Sequence, residues 1–336
     1  MRLNTTVNIN RDFSLDIMRI IACLAVIMLH TSGTGFIPGR DYPLLSVEWM
    51  TCFVWNSLSR WAVPLFVMIS GSIFLDSKKE VTIIKLYKNN ILKLLVVLIV
   101  WSAFYTYFCN GTFLPLGLAS DHLWYLSMVI ALYLTIPIIR NISNKMRDYF
   151  LIVWFAFLIY DFFSQLYHVN FLSEFEHYFY TGYVGYMLLG DWCRRMRYNK
   201  NLGVALVIVA TIVWLFSLSL SIYISKIQNE TTLYLLGNFS PINVVMSVGV
   251  YFACNMLSIR LDGFEKFQSV VANISANTLG IYLIHMFLLI HGYTRVVRFI
   301  PNPSIFIPLI VCGVFILGYL ITFMLRKIPF VGKYLV

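Results

Sequence analysis

Apolar windows long enough to cross a bilayer recur along the whole chain, with centres near Cys23, Ala62, Val100, Ala131, Phe157, Met187, Ile212, Val248, Leu283 and Phe315. Polar connections separate them. In hydrocarbon the backbone must satisfy its own hydrogen bonds, so the chain is read as all-α: a polytopic membrane helix bundle of about ten transmembrane helices. Composition agrees, since 60% of the residues are hydrophobic and only 12% charged, with a mean hydropathy of +0.78. An ordinary soluble domain carries about 25% charged residues. One integral-membrane domain is expected to fill residues 1–336, with no linker, low-complexity tract, internal repeat or soluble domain. The longest outer connections, near Gly33 to Val47 and Ser225 to Thr232, are the size of lids.

Lysine and arginine placement gives an orientation. Eighteen fall in loops on the amino-terminal side, among them Arg2, Arg11, Lys78, Lys79, Arg140, Arg147, Arg194, Arg195 and Arg197. The opposite loops hold four: Arg40, Lys226, Arg295 and Arg298. The positive-inside rule then puts both termini in the cytoplasm, and the net charge of +10 needs no nucleic-acid partner. Arg11 precedes an apolar run as in a signal peptide, but no small-residue cleavage pattern follows and Asp16 and Arg19 interrupt it, so the first span is read as retained. The six cysteines show no CxxC spacing and read as small apolar residues.

That first span, DIMRIIACLAVIMLH from Asp16 to His30, carries three ionisable groups. At about 100° per residue, Arg19 and His30 fall within roughly 20° of one another and Asp16 about 40° from His30. Each such group costs roughly 2.5–3.5 kcal/mol at a bilayer centre, so the shared stripe should face a polar cavity. The alternative is a structural ion pair of Asp16 with Arg19, and a His30 that simply reaches the outer interface.

The second span contains SLSRWAVPLFVMISG, Ser57 to Gly71. Entering from outside near Trp49, the helix reaches Arg60 after roughly 17 Å, so Arg60 and Arg19 can share a depth. Pro64 has no N–H, which leaves the Arg60 carbonyl without its helical partner and predicts a kink or opening there. Gly71 lies on the Arg60 face and permits close backbone approach. An Arg60–Asp16 salt bridge is the competing reading.

Further candidates open or close other spans. His122, Trp124 and Tyr125 of HLWYL start the fourth, and His285 of TLGIYLIH sits in the outer half of the ninth. Taken alone, Trp124 and Tyr125 fit an interfacial aromatic belt. The aromatic passage from His177 to Gly190 suits either a sugar-lining surface or a packed span. His168, His177 and His291 carry no motif, and no HxxH or HExxH spacing points to a metal.

The run LDIMRIIACLAVIMLH, with ten residues between Arg19 and His30, followed by SRWAVPLFVMISG, HLWYL and TLGIYLIH, is similar to the integral-membrane acyltransferase-3 family. Within it the chain most resembles the stand-alone bacterial O-acetyltransferases of surface glycans, of the enterobacterial common antigen and O-antigen acetylase type. The resemblance implies a bacterial inner-membrane enzyme with no tightly bound cofactor, an acyl-CoA donor (usually acetyl-CoA) arriving from the cytoplasm, and a glycan or lipid-linked sugar as acceptor. It also implies that Arg19 and His30 are the family's Arg and His motif residues. Some relatives carry an extracytoplasmic hydrolase-like domain; none is expected here, so the chain is expected to finish the transfer itself or to use a partner.

The chemistry of the residues fits. Acyl transfer to a hydroxyl needs a base, and His30 is the candidate. Donor phosphates suit the planar guanidinium, which makes Arg19 and Arg60 the donor-binding candidates, with Lys78, Lys79, Arg194 and Arg195 available for the nucleotide end. Asp16, Ser70, Gly71, His122, Trp124, Tyr125 and His285 are assigned supporting or acceptor-binding roles. Arg19 to His30 spans roughly 16 Å along a helix, comparable with an extended pantetheine arm. Asp16, roughly 21 Å from His30, is too far to orient it, and Glu48 is the outer alternative. O-succinyl transfer, a glycan transporter or flippase, and an export-complex component stay open, as does a homo-oligomer in the membrane lipid.

Overall fold

The computed structural model describes residues 12–33, 42–78, 80–110, 121–167, 182–197, 199–261 and 263–334. Arg2, Arg11, Arg40, Lys79, Gly111, His168, the 34–41 stretch of the first outer connection and the 177–181 stretch of the aromatic passage lie outside them, as do the side chains of Arg295 and Arg298. The described chain is helical, without strands. Its helices are α1 (Phe13–Ser32), α2 (Val47–Ser59), α3 (Ala62–Phe74), α4 (Ile83–Leu86), α5 (Leu92–Asn110), α6 (Trp124–Arg140), α7 (Asn144–Tyr167), α8 (Tyr183–Met196), α9 (Lys200–Gln228), α10 (Pro241–Arg260), α11 (Glu265–Ala276), α12 (Thr278–Phe299), α13 (Pro303–Leu325) and α14 (Pro329–Tyr334).

Each of the ten apolar centres falls in one of these helices. Six units are long and apolar enough to cross a membrane: α1, the joined pair α2–α3, α4–α5, α9, α10 and α13. The pair α11–α12, bent by 55°, makes a seventh if it is one broken span. The other three windows lie in α6, α7 and α8.

Helix α1 is the hub of the bundle. It packs on α2 and α3 and on α10, α11, α12 and α13, as an ionisable stripe shielded from lipid requires. Asp12 caps it: the carboxylate accepts from the Ser14 N–H at 3.2 Å, pairs with Arg197 and lies 3.8 Å from Arg194. Burial pushes the Asp12 carboxyl up, but the Ser14 and Arg197 hydrogen bonds and the two arginine charges outweigh it and hold the group below its ordinary value.

The Pro64 break is present. Helix α2 ends at Ser59, Arg60 and Trp61 form a turn, and α3 starts at Ala62. The Arg60 carbonyl, deprived of a helical donor by the proline, accepts from Asn243 Nδ2 of α10 at 3.2 Å. Beyond the break α3 lies so close to α8 that a Cβ on Gly71 would stand 1.8 Å from the Met187 carbonyl oxygen, and one on Gly190 2.0 Å from that of Met68. Ser72 completes the contact by donating to the Gly190 carbonyl at 2.8 Å.

At its far end α3 leaves unpaired carbonyls, as every helix does, and three arginines take them. Arg194 donates to Ser72 (3.0 Å), Arg147 to Leu75 (3.1 Å), and Arg140 to Asp76 (3.1 Å) and Phe74. These arginines, placed on one side by the loop charge count, therefore gather at the Asp12 end of the bundle. His30 lies at the opposite end of α1.

Candidate functional site

Two arrangements of polar groups lie along α1, and one tyrosine joins them. The deeper is a cavity of about 200 Å³ among α1, α3, α5, α6 and α12, lined by Arg19, Ser70, Tyr125, Tyr133, Thr278 and Tyr282 among apolar neighbours. Small-molecule sites typically run to about 300–1,000 Å³, so this one has room for a chain segment rather than a nucleotide. Arg19 NH1 pairs with Asp16 at 2.9 Å, and Ser275 of α11 donates to the same carboxylate oxygen at 2.7 Å. The Asp16 side chain is 2% exposed and that of Arg19 29%, so the buried carboxylate holds a guanidinium that still reaches the cavity. Ion pair and cavity, alternatives on the sequence alone, coexist. Ser70 Oγ stands 3.4 Å from the Tyr133 hydroxyl.

The second arrangement is a cluster of imidazoles. His30 and His285 have ring centroids 5.3 Å apart, and His285 and His122 again 5.3 Å. Tyr282 touches both of the latter, at 5.4 Å from His285 and 5.8 Å from His122. Its carbonyl accepts from His285 Nδ1, and its hydroxyl donates to the His122 backbone carbonyl. Tyr105 of α5 stacks edge-on against His122 at 4.9 Å, donates to the Leu283 carbonyl at 2.8 Å and accepts from the Phe287 N–H at 3.2 Å. Helix α12 is thereby pinned on both sides of His285. Tyr282 also lines the Arg19 cavity, so the cavity and the histidines share a wall.

Several candidates sit elsewhere than expected. Asn56 Nδ2 donates to the Leu29 carbonyl at 3.3 Å, whereas Phe66 lines the Arg19 cavity, so α2–α3 runs antiparallel to α1. In that register Arg60 is about six residues, or roughly 9 Å, nearer the His30 end than Arg19. The two arginines do not share a depth. Arg60 Nε donates to Asn56 Oδ1 at 2.8 Å. Gly71 faces Met187 and serves the α3–α8 contact rather than the cavity. Trp124 is 37% exposed and lies against Tyr125 and Tyr183, apart from the histidines. Glu48 is exposed in the first turn of α2. Arg194 pairs with Asp76 at 2.8 Å, and Arg195 with Asp148 and, at 3.4 Å, Asp191. The His291 ring lies tilted against Phe287, 4.5 Å between centroids.

Sequence reasoning missed Ser275, Tyr282, Asn56 and Asn243. A signal existed for two of them: Tyr282 precedes His285 by one helical turn, and Asn56 precedes Arg60 by one, so each pair shares a face. Among the described residues no group of three His, Cys, Asp or Glu side chains is placed to hold a metal ion.

An arginine whose guanidinium reaches a narrow cavity, with imidazoles beyond a shared wall, can bind an anionic or polar chain and move a proton at its far end. No curated protein and no solved structure matches the chain. The acyltransferase domain model of the acyltransferase-3 family matches residues 12–323, and the chain belongs to that family of acyltransferases.

Proposed function

We propose that this membrane acyltransferase moves an acetyl group from cytoplasmic acetyl-CoA to a sugar hydroxyl of a cell-surface or lipid-linked glycan in the bacterial inner membrane, with His30 as general base. The observation that carries the reading is the shared wall at Tyr282: one side lines the Arg19 cavity, the other holds the histidines next to His30. Acyl-CoA enters from the Asp12 end, taken as cytoplasmic from the eighteen to four charge bias. Arg19 steadies the donor by its guanidinium, held in place by Asp16. The cavity admits the donor's narrow arm and leaves the nucleotide outside. His30, roughly 16 Å further along α1, meets the thioester end.

There the acceptor hydroxyl gives its proton to His30 as its oxygen attacks the acyl carbon. The carbon–sulfur bond breaks, and His30 returns the proton to the departing thiolate, so no net proton is taken up. In this reading Arg60, hydrogen-bonded to Asn56 at the His30 end, serves the acceptor and the thioester rather than the donor phosphates.

The test is mass spectrometry of surface glycans from cells with and without the gene, alongside membranes fed labelled acetyl-CoA. The expected result is a gene-dependent mass increment of one acetyl group per modified sugar. A succinyl increment would replace the donor. No acyl difference, together with donor-independent movement of glycan across vesicles, would overturn the reading in favour of a transporter.

A further inference from the structure

Arg60 stands at the middle of the Val47–Phe74 span, where a charge is costly and marks function by default. An arginine does not lose its proton in a protein, so one inside a helix bundle usually has a carboxylate beside it. Arg19 has Asp16 at 2.9 Å, and Arg147 has Asp191 at 3.3 Å. Arg60 has none. Among the described residues its guanidinium makes one hydrogen bond, from Nε to the neutral Asn56 amide at 2.8 Å, and no ion pair.

That bond reaches back one helical turn and so bends the side chain toward the His30 end of α1. The Asn56 amide spans the two helices: Oδ1 holds Arg60, while Nδ2 donates at 3.3 Å to the carbonyl of Leu29, the residue before His30. Two hydrogen bonds and one amide group, a path of about 8 Å, connect the Arg60 guanidinium to the backbone beside His30. The backbone of Arg60 is held too, its carbonyl accepting from Asn243 Nδ2 at 3.2 Å in the turn opened by Pro64. Both holding groups are uncharged amides. They fix the guanidinium without cancelling its charge, which is how a site prepared for negative charge that develops during a reaction is built.

We propose that Arg60 is a catalytic residue that stabilises the oxyanion of the transfer: a terminal N–H of its guanidinium donates to the acyl oxygen as that oxygen becomes negative. This rests on the reading of the protein as an acyltransferase with His30 as base. When the acceptor oxygen bonds to the acyl carbon, the carbonyl electron pair moves onto the acyl oxygen and the hydroxyl proton moves to His30. The pair returns as the carbon–sulfur bond breaks, and His30 gives its proton to the thiolate. Arg60 keeps all its protons throughout. Its charge is met in the transition state, so it acts on kcat, whereas a permanent anion on donor or acceptor would be felt in KM.

Steady-state kinetics of the purified full-length protein test this in Arg60→Gln and Arg60→Lys, with acetyl-CoA as donor and the glycan extract of cells lacking the gene as acceptor, each varied in turn. Gln keeps a polar amide and removes the charge; Lys keeps the charge without the planar fork. Arg60→Gln should lower kcat by about 100- to 1,000-fold, the usual loss of one oxyanion donor, with KM for either substrate within about threefold. Arg60→Lys should run at least about tenfold faster than Arg60→Gln. A parental kcat in Arg60→Gln, a loss that lies in either KM, or Lys no better than Gln would overturn the proposal. If Arg60→Gln lowers the folded yield, Asn56→Asp replaces it: the carboxylate still accepts from Nε but cancels the charge, so kcat should fall by about tenfold or more with both KM values kept, and a parental kcat there would equally overturn the proposal. A parental rate in His30→Ala would instead overturn the base assignment itself.

Discussion

Replacing Gly71 by alanine is the sharpest test of how the bundle is held together. The added Cβ would stand 1.8 Å from the Met187 carbonyl oxygen and 2.7 Å from its carbonyl carbon, where ordinary contact begins at 3.4 Å. The obstacle is backbone in a neighbouring helix and cannot swing aside, so α3 and α8 must part by about 1.6 Å. Overpacking of this kind costs about 1–3 kcal/mol. Parting the helices also stretches the Ser72–Gly190 hydrogen bond, 2.8 Å in the native contact, beyond bonding range, which adds about 1 kcal/mol. The expected total is about 2–4 kcal/mol. Thermal unfolding of the purified protein in detergent should fall by about 5–10 °C. Whatever protein remains folded should bind acyl-CoA normally, since Gly71 does not line the cavity. An unfolding midpoint within about a degree of the parent's would refute the close approach, and weakened donor binding in well-folded protein would return Gly71 to the site.

Arg19→Ala should weaken acyl-CoA binding by about tenfold or more while Arg19→Lys recovers only part, because Lys loses the planar fork; Arg60→Ala should lower transfer more than donor affinity, and isothermal titration with turnover assays separates the two. Asp12→Asn tests the cap of α1 through pH. The Asp12 carboxyl is held below its ordinary value, so its contribution is present at pH 7 and lost as pH falls through that lowered value. The parent should therefore unfold at higher temperature than Asp12→Asn at pH 7, and the gap should close below about pH 4; a pH-independent gap contradicts the ionised cap. Single cysteines at Lys79 and Arg195 in a cysteine-free background should be shielded from impermeant reagents added outside, while those at Gly111 and Gln228 should label; outside labelling at Lys79 reverses the topology.

Much of this architecture can be read from particular residues. The α1 stripe is legible because helical periodicity alone puts Arg19 and His30 on one side, and shielding charge from lipid then makes that helix central. The Pro64 break is legible because a missing N–H is a local fact. What the sequence hides is tertiary. Depth counted from Trp49 puts Arg60 too deep, because α2 extends beyond the end of α1 and its register is set at Asn56 against Leu29. The bend between α11 and α12 falls at Asn277, itself neither proline nor glycine. Gly71 reads as a site glycine or a packing glycine with equal ease until its neighbour, Met187, is known. The meeting of His30, His122 and His285 depends on segments more than ninety residues apart in the chain, and no spacing rule reaches that far.

The central claim is that His30 takes the acceptor's proton after the donor has bound. Purified His30→Ala protein, assayed for acetyl-CoA affinity and for transfer to the glycan in the same preparation, addresses it most directly. The account predicts donor affinity within a few-fold of the parent and transfer slower by about 100-fold or more, the usual size of a general-base contribution. Folded protein that binds donor and acylates at the parental rate would contradict it.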